Sequence, residues 1–515
     1  MSVRKAAQLL CALALLCGVV YGQAVSGSIV GIVVDPGDAS VPGVEVQIKD
    51  VATGTVHTFT TLVEGIFRFN DIAPGTYTLT AKMKGFKTYA QQDINLAVAE
   101  TRDLGTIRLV LGAVTEEVSV IATATALQTA SSEKSSLVDG NQLSQIAIKG
   151  RDLMAMLNLV PGVVSYSAGE AVSENSIGGV NINGGGSSRG TTHFNPNMDS
   201  VAEVRVLTSN FQAEFGRMAS GSISVITKGG GQQFHGSGWW TWRHEQFNAK
   251  NFFDNYNNQP KSIYRYHVRG FAVGGPVYIP KIWNRAKNKL FFFISQEYTK
   301  QKPATQIGYS NMPTALERAG DFSQSVDQNG KLIQLLDPTS RNPFPGNLIP
   351  KSQIDAAGLA FLNYLPLPNR CGASGAASDC WQESDQSQIY RRNFRSVFNE
   401  SHPHRNDVAR IDFNPTPKLL TFIRYVNDYD FDQTANGNYV NLLDSNKQWT
   451  PYSEDHPNPG HGYGIGITYT VNAATVNEFV FGKSYNTWDW YPHDPAQLDR
   501  AKIGNPPHWF DEKDT

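Results

Sequence analysis

Few side chains in this sequence have types and spacings that could do chemistry. Cys371 and Cys380 lie close together in a polar segment rich in Gly and Ser, whereas Cys11 and Cys17 fall in the first 22 residues. In an oxidising compartment, the later pair is more consistent with a loop disulfide than with a zinc site, which would need further ligands nearby.

The histidines do not form a recognisable site either. All 11 are scattered, no His-Glu-x-x-His pattern occurs, and the segment His402-Pro403-His404 is predicted to be a loop. No nucleophile, carboxylate pair or metal cluster stands out, so we expect neither an enzyme nor a bound metal or cofactor.

The elements that could position any site are predicted to be strands. The chain has 515 residues, enough for several domains, since single cores stop growing near about 300 residues. Its 46 Gly, 26 Pro and 11% aromatic residues, against 17% charged residues, favour a β-rich protein. A formal net charge of -2 gives no electrostatic reason to expect a nucleic-acid partner.

The first 22 residues are predicted to be a secretory signal peptide. Arg4 and Lys5 precede an apolar run from Leu9 to Val20, and small residues follow it. Leu16 is too large for the position before a lipoprotein cysteine, so we expect an exported protein without lipid. No later apolar run is long enough for a transmembrane helix, so membrane residence would require a β-barrel.

Residues 23–112 are predicted to form a small β-sandwich. Short alternating runs are separated by turn signals such as Asp35-Pro36-Gly37 and Ala73-Pro74-Gly75. The runs are Ile29 to Val34, Val44 to Lys49, Thr55 to Thr60, Ile66 to Phe69 and Tyr77 to Ala81.

Residues 113–228 contain shorter elements. Thr115 to Ala122 is an extended segment, and Asp152 and Pro161 are placed to begin and end a helix of about nine residues. The apolar side of that helix would be Leu153, Met156, Leu157 and Val160. Further on, the alternation around Val204 and around Ile223 predicts two strands that flank a corner with Gly216 and Gly221.

Residues 229–515 are predicted to form longer strands with many aromatic residues. Short turns alternate with long loops, which run from Gln301 to Asn406 and from Asp430 to His461. The seven candidate strands are Phe234 to Arg243, Tyr264 to Val273, Leu290 to Lys300, Val408 to Phe413, Leu419 to Tyr429, Tyr463 to Thr470 and Val476 to Tyr485.

These segments together resemble a known family. The stretch FQAEFGRMASGSISVITKGG, from Phe211 to Gly230, resembles the end of the plug domain of TonB-dependent outer-membrane receptors. GIVVDPGDASVPGVEVQIKD resembles the carboxypeptidase regulatory-like domain, which implies no peptidase activity. Phrases such as GGPVYIPK, NKLFFFISQEY and RIDFNPTPKLL resemble receptors of the Oar type. The implied fold is mainly β, with an N-terminal β-sandwich, a small α+β plug and the first strands of an antiparallel transmembrane β-barrel.

The resemblance also implies functional residues. The segment after the sandwich is similar to a TonB box, which pairs as an added strand with the energising partner in the periplasm; a plain linker strand is the alternative. The candidate box residues are Thr115, Glu116, Glu117, Val118, Ser119, Val120 and Ile121. The residues that match the plug pattern are Gly150, Arg151, Asp152, Pro161, Gly162, Asn183, Gly184, Phe211, Glu214, Gly216, Gly221, Thr227 and Lys228. The loop after Gly184 is shorter than in the family pattern, so the ligand-facing apex of the plug departs from that pattern.

Two functions follow from this resemblance. The first is an energised transporter in the outer membrane that imports a large nutrient, with carbohydrate favoured. Its partners would be a TonB-type protein, the surrounding lipid and an extracellular ligand. The second is a surface adhesion or interaction protein that keeps the same architecture without import. Because plugged transporters have about 22 barrel strands, we expect this sequence to be part of a longer barrel.

Overall fold

The computed structural model describes most of the chain from residue 26 onward. The described residues are 26–113, 117–121, 133–146, 151, 153–165, 176–178, 180–182, 185–186, 189–191, 196–210, 221–250, 252–256, 261, 263–302, 306–310, 312–327, 331–368, 393–398, 402–434, 454–472, 475–487, 489 and 491–492. The predicted signal peptide, Cys371 and Cys380 therefore lie outside the described residues.

The N-terminal part is a β-sandwich, here called the sandwich. Its strands are β1 (Gly27–Val34), β2 (Glu45–Asp50), β3 (Val56–Thr60), β4 (Ile66–Ile72), β5 (Gly75–Lys82), β6 (Thr88–Leu96), β7 (Thr101–Arg108) and β8 (Glu117–Ile121). One sheet has the order β4-β1-β7 and the other the order β3-β2-β5-β6-β8. All five predicted runs are strands, and β6 and β7 are additional to them.

The two sheets enclose one apolar core. Ile48, Phe67 and Leu79 are fully buried in it, and the hydroxyl of buried Tyr77 donates to the Ala73 carbonyl at 2.6 Å. Every member of this core cluster comes from within the sandwich. The alternation of the sequence is therefore explained by packing between two sheets.

The next part, here called the plug, is built around a three-stranded sheet. It contains β9 (Lys134–Asp139), β10 (Val163–Ser165), β11 (Ser176–Gly178), β12 (Val180–Ile182), β13 (Gly185–Gly186), β14 (Arg189–Thr191), β15 (Val201–Ser209), β16 (Ser222–Thr227), an α-helix Gly140–Gln145 and the 3₁₀ helices Met154–Leu159 and Met198–Ser200. β15 lies centrally between β16 and β9 and is antiparallel to both.

The helix predicted after Asp152 differs from expectation. It is a six-residue 3₁₀ helix, Met154–Leu159, whose N-cap is Leu153 without a side-chain cap. Its predicted apolar residues are all buried in the plug core, including Leu153, Met156 and Val160. The 3₁₀ form is typically used in short pieces such as this one. Asp152 lies outside the described residues.

The last part is a large antiparallel sheet, here called the wall. Its strands are β17 (His235–His244), β18 (Arg265–Pro276), β19 (Leu290–Lys302), β22 (His402–Thr416), β23 (Leu419–Thr434), β24 (Glu454–Asn472), β25 (Thr475–Asn486) and β26 (Tyr491–Pro492). The order β17-β18-β19-β22-β23-β24-β25 follows the chain, with β26 paired to β24. All seven candidate strands are present, which confirms the mainly β fold with the start of an antiparallel barrel.

Most of these strands are longer than predicted, and two of them begin well before the predicted start. β22 begins at His402 and β24 at Glu454. The prediction that His402-Pro403-His404 is a loop is therefore wrong. Proline is rare inside strands, but β19 and β23 hold the start of β22 extended from both sides, and β23 holds the start of β24 extended.

Strand β19 shows how the wall faces its surroundings. Phe291, Phe293, Ser295 and Glu297 are buried on the plug side, whereas Ile294 on the other face is 43% exposed. The plug side of β19 therefore changes from apolar at Phe291 and Phe293 to polar at Ser295 and Glu297, while the other face carries apolar groups such as Ile294, as outward faces of transmembrane barrels do.

One polar cluster interrupts the outward face. Gln296 donates to Asp407 at 2.6 Å, Asn427 donates to it at 3.0 Å, and Arg405 forms an ion pair with it at 2.8 Å. Asp407 and its three partners are here called the Asp407 cluster, in which the partners satisfy the carboxylate on the outward face.

A compact lobe connects β19 to β22. It contains β20 (Gln306–Ser310) and β21 (Phe394–Phe398), the α-helices Ala315–Arg318 and Ala356–Tyr364, and the 3₁₀ helices Pro345–Asn347 and Lys351–Gln353. The first helix begins with a capping box between Thr314 and Glu317. The earlier β17 to β18 connection carries the 3₁₀ helix Glu245–Phe247 and the α-helix Phe252–Tyr256.

No helix among the described residues has the length and apolar character needed to cross a membrane.

Candidate functional site

Arg151 joins the plug to the wall. It forms an ion pair with Asp199 of the plug and a second one, at 3.1 Å, with Glu297 on β19. Trp239 on β17 donates its indole N–H to Glu297 at 2.7 Å, and the Arg151 guanidinium lies 5.4 Å from the Trp239 ring centre. One arginine therefore connects two carboxylates and an aromatic face across the junction.

The backbone at Arg151 is unusual. Its φ angle is +55°, in the left-handed region that non-glycine residues rarely adopt. Such conformations persist where surrounding contacts fix them, often at functional sites. The Arg151 side chain is itself held by ion pairs on both sides of the junction.

Asn197 makes a second connection between plug and wall. Its backbone N–H and side-chain amide both donate to the Asn406 side-chain oxygen, at 3.0 and 2.9 Å. Its own oxygen accepts from the Ser200 N–H at 2.9 Å and from the Ser295 hydroxyl at 3.0 Å. Because Asn197 is only 4% exposed, these bonds are formed away from bulk water.

The wall residues of both connections lie side by side. In the strand register, Trp239 pairs with Gly270, Gly270 with Glu297, Glu297 with Asn406 and Asn406 with Asp428. Asn406 donates to Asp428 at 3.3 Å, and His404 lies 2.5 Å from the same carboxylate. These residues form a polar row across five strands of the wall, and the plug binds to this row.

The predicted end of the plug forms a third connection. Arg410 on β22 donates to the Thr227 carbonyl at 3.1 Å, and the Lys228 N–H donates to the Ser200 carbonyl at 2.7 Å. Burial lowers the pKa of Lys228, although Asp199 opposes this effect. Gly221 is required for packing, since an added Cβ would lie 2.5 Å from the Leu207 carbonyl.

The plug also contacts the sandwich. Glu203 on β15 accepts from the Val98 N–H at 2.7 Å, and Arg205 donates to the Val98 carbonyl and pairs with Glu133 at 3.4 Å. Burial raises the pKa of Glu203 and lowers that of Arg205, so each ionised group depends on its partners. The sequence pattern predicts that Glu203 and Arg205 lie on the same face of a strand. It does not indicate that this face contacts the sandwich.

A cavity of about 590 Å³ lies where the three parts meet. It is lined by Asp50 and His57 of the sandwich, Glu203 and Thr227 of the plug, and Arg410 of the wall, among others. Burial raises the pKa of Asp50 and lowers that of His57. Among the described residues, no group of three or more His, Cys, Asp or Glu side chains could hold a metal ion.

The candidate TonB box is partly described. Glu117–Ile121 forms β8, which pairs in parallel with β6 of the sandwich, whereas Thr115 and Glu116 lie outside the described residues. The predicted plug residues that also lie outside them are Gly150, Asp152, Asn183, Gly184, Phe211, Glu214 and Gly216. Of the rest, Arg151, Thr227 and Lys228 come together near Asp199, while Pro161 and Gly162 follow the 3₁₀ helix.

Sequence reasoning missed the partners of Arg151. Glu297 is a charged residue on the plug-facing side of β19, in line with Ser295 and Thr299. A carboxylate at such a position needs a cation, because an unpaired buried charge is costly. That signal could have indicated a contact with the plug, although not the identity of the arginine.

Comparison with known proteins agrees with this architecture. The model of the outer membrane beta barrel domain family matches residues 226–513, and that of the carboxypeptidase regulatory-like domain matches residues 28–110. The TonB-dependent transporter Oar of Myxococcus xanthus is 26% identical over 301 residues, which cover 52% of this chain and 27% of that protein. The chain thus spans about a quarter of the length of this curated relative.

Solved structures show weaker similarity. The outer membrane transporter YddB from Escherichia coli aligns with a TM-score of 0.40 and 7% identity, over 69% of this chain and 39% of that one. The siderophore receptor PirA from Acinetobacter baumannii has a TM-score of 0.29 and 10% identity, over 68% and 43%. Neither TM-score is high enough to support a conclusion about this chain. The family match covers more than half of the sequence, and the chain therefore belongs to the outer membrane beta barrel domain family, with the domain combination of Oar-like TonB-dependent receptors in the outer membrane.

Proposed function

We propose that this chain belongs to a TonB-dependent receptor that imports a large nutrient across the outer membrane, with carbohydrate favoured as the ligand class. The observation that carries this proposal is the seating of the plug by Arg151 and Asn197 on the polar row of the wall. Polar contacts of this kind can be exchanged for water when the plug moves, at a net cost of about 1 kcal/mol for a neutral hydrogen bond and about 1.5–3 kcal/mol for one to a charged group. A receptor needs a plug that is held firmly and can still be displaced.

In the proposed mechanism, extracellular loops capture the ligand while the plug closes the lumen. A TonB-type protein in the periplasm then pairs with the box at residues 115–121 and pulls on it. The pull moves the plug away from the polar row of the wall, and the ligand then passes through the lumen. No catalytic role is proposed for any residue.

The proposal is tested in the full-length protein by Val118→Pro. Proline removes one backbone N–H and fixes φ, so strand addition at the box is impaired. We expect normal abundance in the outer membrane and normal binding at the cell surface, with loss of uptake. Val118→Thr, which keeps the N–H, is the matched control and should import normally.

The ligand class is tested first, by comparing growth of wild-type and deletion strains on a panel of polysaccharides. Fluorescent fragments of the supporting polysaccharide then serve as the uptake probe. If no polysaccharide distinguishes the strains, the carbohydrate assignment is wrong. If Val118→Pro imports as well as wild type at equal surface abundance, the box lies elsewhere or the protein is a surface adhesion protein.

A further inference from the structure

The candidate box strand already belongs to a sheet. β8 lies at the end of the order β3-β2-β5-β6-β8, and residues 88–92 of β6 are the Cα partners of residues 117–121. Because β8 is the outermost strand of this sheet, only one side of its backbone pairs with β6. Among the described residues, no strand pairs with the second edge of β8. Such an edge is a template for a further strand.

The sheet that carries β8 is also attached to the plug. Val98 follows the end of β6 at Leu96, and its backbone N–H and carbonyl are both bound by side chains of β15. Those side chains are Glu203 and Arg205, and Arg205 is only 3% exposed. β15 is the central strand of the plug sheet. A path of direct contacts therefore runs from β8 through β6 and Val98 to the centre of the plug.

We propose that the periplasmic energy-coupling protein adds an extended segment to the free edge of β8 while β8 stays paired with β6. The docking surface is then the edge of the sandwich sheet, not a detached peptide. Force reaches the plug through Val98 and β15 as well as along the chain. This inference rests on the proposed function, because it specifies how the same partner binds.

A disulfide between β6 and β8 distinguishes this arrangement from one in which the box must leave the sandwich. Tyr89 and Val118 are Cα partners, and neighbouring strands lie about 4.8 Å apart, within the range that a disulfide spans. The full chain carrying Tyr89→Cys and Val118→Cys is purified from outer membranes. Binding of the purified periplasmic domain of a TonB-type protein is measured before and after reduction.

We expect the disulfide to form without the partner and the oxidised protein to bind as tightly as the reduced one. A loss of about tenfold or more in affinity, restored by reduction, would show that the box leaves β6 and would overturn the inference. In the control protein, which carries Thr76→Cys and Asn95→Cys, the disulfide links β5 to β6 and leaves β8 unconstrained. If the control disulfide forms and the Tyr89 to Val118 disulfide does not, the pairing itself is refuted.

A separate outcome concerns the proposed function alone. If the wild-type chain does not bind the TonB-type domain at all, the proposed function fails and this inference falls with it. If wild type binds and only the oxidised Tyr89→Cys, Val118→Cys protein does not, the function stands and the free-edge arrangement is wrong.

Discussion

At the scale of single residues, Arg151 matters most, because Glu297 would be left as a buried carboxylate without it. Breaking a buried pair by removing one partner costs about 3–5 kcal/mol. We expect Arg151→Met to loosen the plug, seen as faster hydrogen exchange in residues 153–165. The second change Glu297→Gln should restore part of the protection.

The control for this prediction is Arg265→Met. Arg265 pairs with Glu245 at 3.1 Å, but its side chain is 46% exposed, so the pair is screened by water. Hydrogen exchange in residues 153–165 of this variant should be as slow as in wild type. Equal protection in Arg151→Met and wild type would mean that the ion pair does not hold the plug.

Asp50 gives the sandwich a pH dependence. Burial raises its pKa, although donors at Ala52 and Thr53 oppose this. The folded state then holds the proton more tightly than the unfolded state, so Asp50 contributes stability below about pH 3.8 that is lost as the pH rises through the folded pKa. We expect Asp50→Asn to become more stable relative to wild type between pH 3 and pH 7. The test is hydrogen exchange of amides in β2 and β5, and a constant difference over this range would contradict it.

Residue-level predictability from sequence was uneven for physical reasons. Arg151, Thr227 and Lys228 were selected by resemblance, and the structure brings them near Asp199. Their partners Glu297 and Asn406 lie far along the chain, on strands whose pairing no local pattern specifies. The role of either residue follows only from the register across the wall.

At the scale of elements, the β17 to β18 pair depends on a glycine. An added Cβ at Gly270 would lie 2.4 Å from the Trp239 ring and 2.5 Å from the Gln296 carbonyl. We expect Gly270→Ala to cost about 1–3 kcal/mol, as for other overpacked sites, and to displace Trp239 from Glu297. Denaturant unfolding in detergent measures the loss.

Gly238 on the same strand pair provides the control. A Cβ there would lie 3.9 Å from the nearest atom, the Gly270 carbonyl oxygen, which is ordinary contact. Gly238→Ala should therefore unfold at the same denaturant concentration as wild type. If both alanine variants behave alike, close packing at Gly270 is not the cause.

Elements were predicted best where alternation was strong. β1 and β19 alternate clearly because one face of each packs on a core or on the plug. β6 was missed because polar residues such as Asp93 interrupt its pattern, where φ is +58° and the register shifts. The helix after Arg151 was predicted in position but not in type, since spacing of three residues fits both helix forms.

At the scale of the whole molecule, residues 25–111 are predicted to fold alone. Their core contains no side chain from the plug or wall. Expressed separately, this segment should be a soluble β-rich monomer with cooperative unfolding. Phe67→Ala should cost about 3–5 kcal/mol because Phe67 is fully buried. A random-coil circular dichroism spectrum of the unmutated segment would contradict the prediction.

The Asp407 cluster has a consequence for the surrounding lipid. On the outward face of β22, Phe413 and Ile411 lie below Asp407, and the six-residue interval spans about 20 Å along a strand. At a tilt of about 40°, this interval covers about 15 Å of depth, whereas an outer-membrane barrel usually presents an apolar band about 25 Å tall. The outward face of β23 continues below the level of Phe413 to Leu419, so the interval on β22 is a lower bound on the apolar height beneath Asp407. We expect lipid headgroups and water to meet this side of the protein at the level of Asp407, because its carboxylate and the partners of that carboxylate are polar.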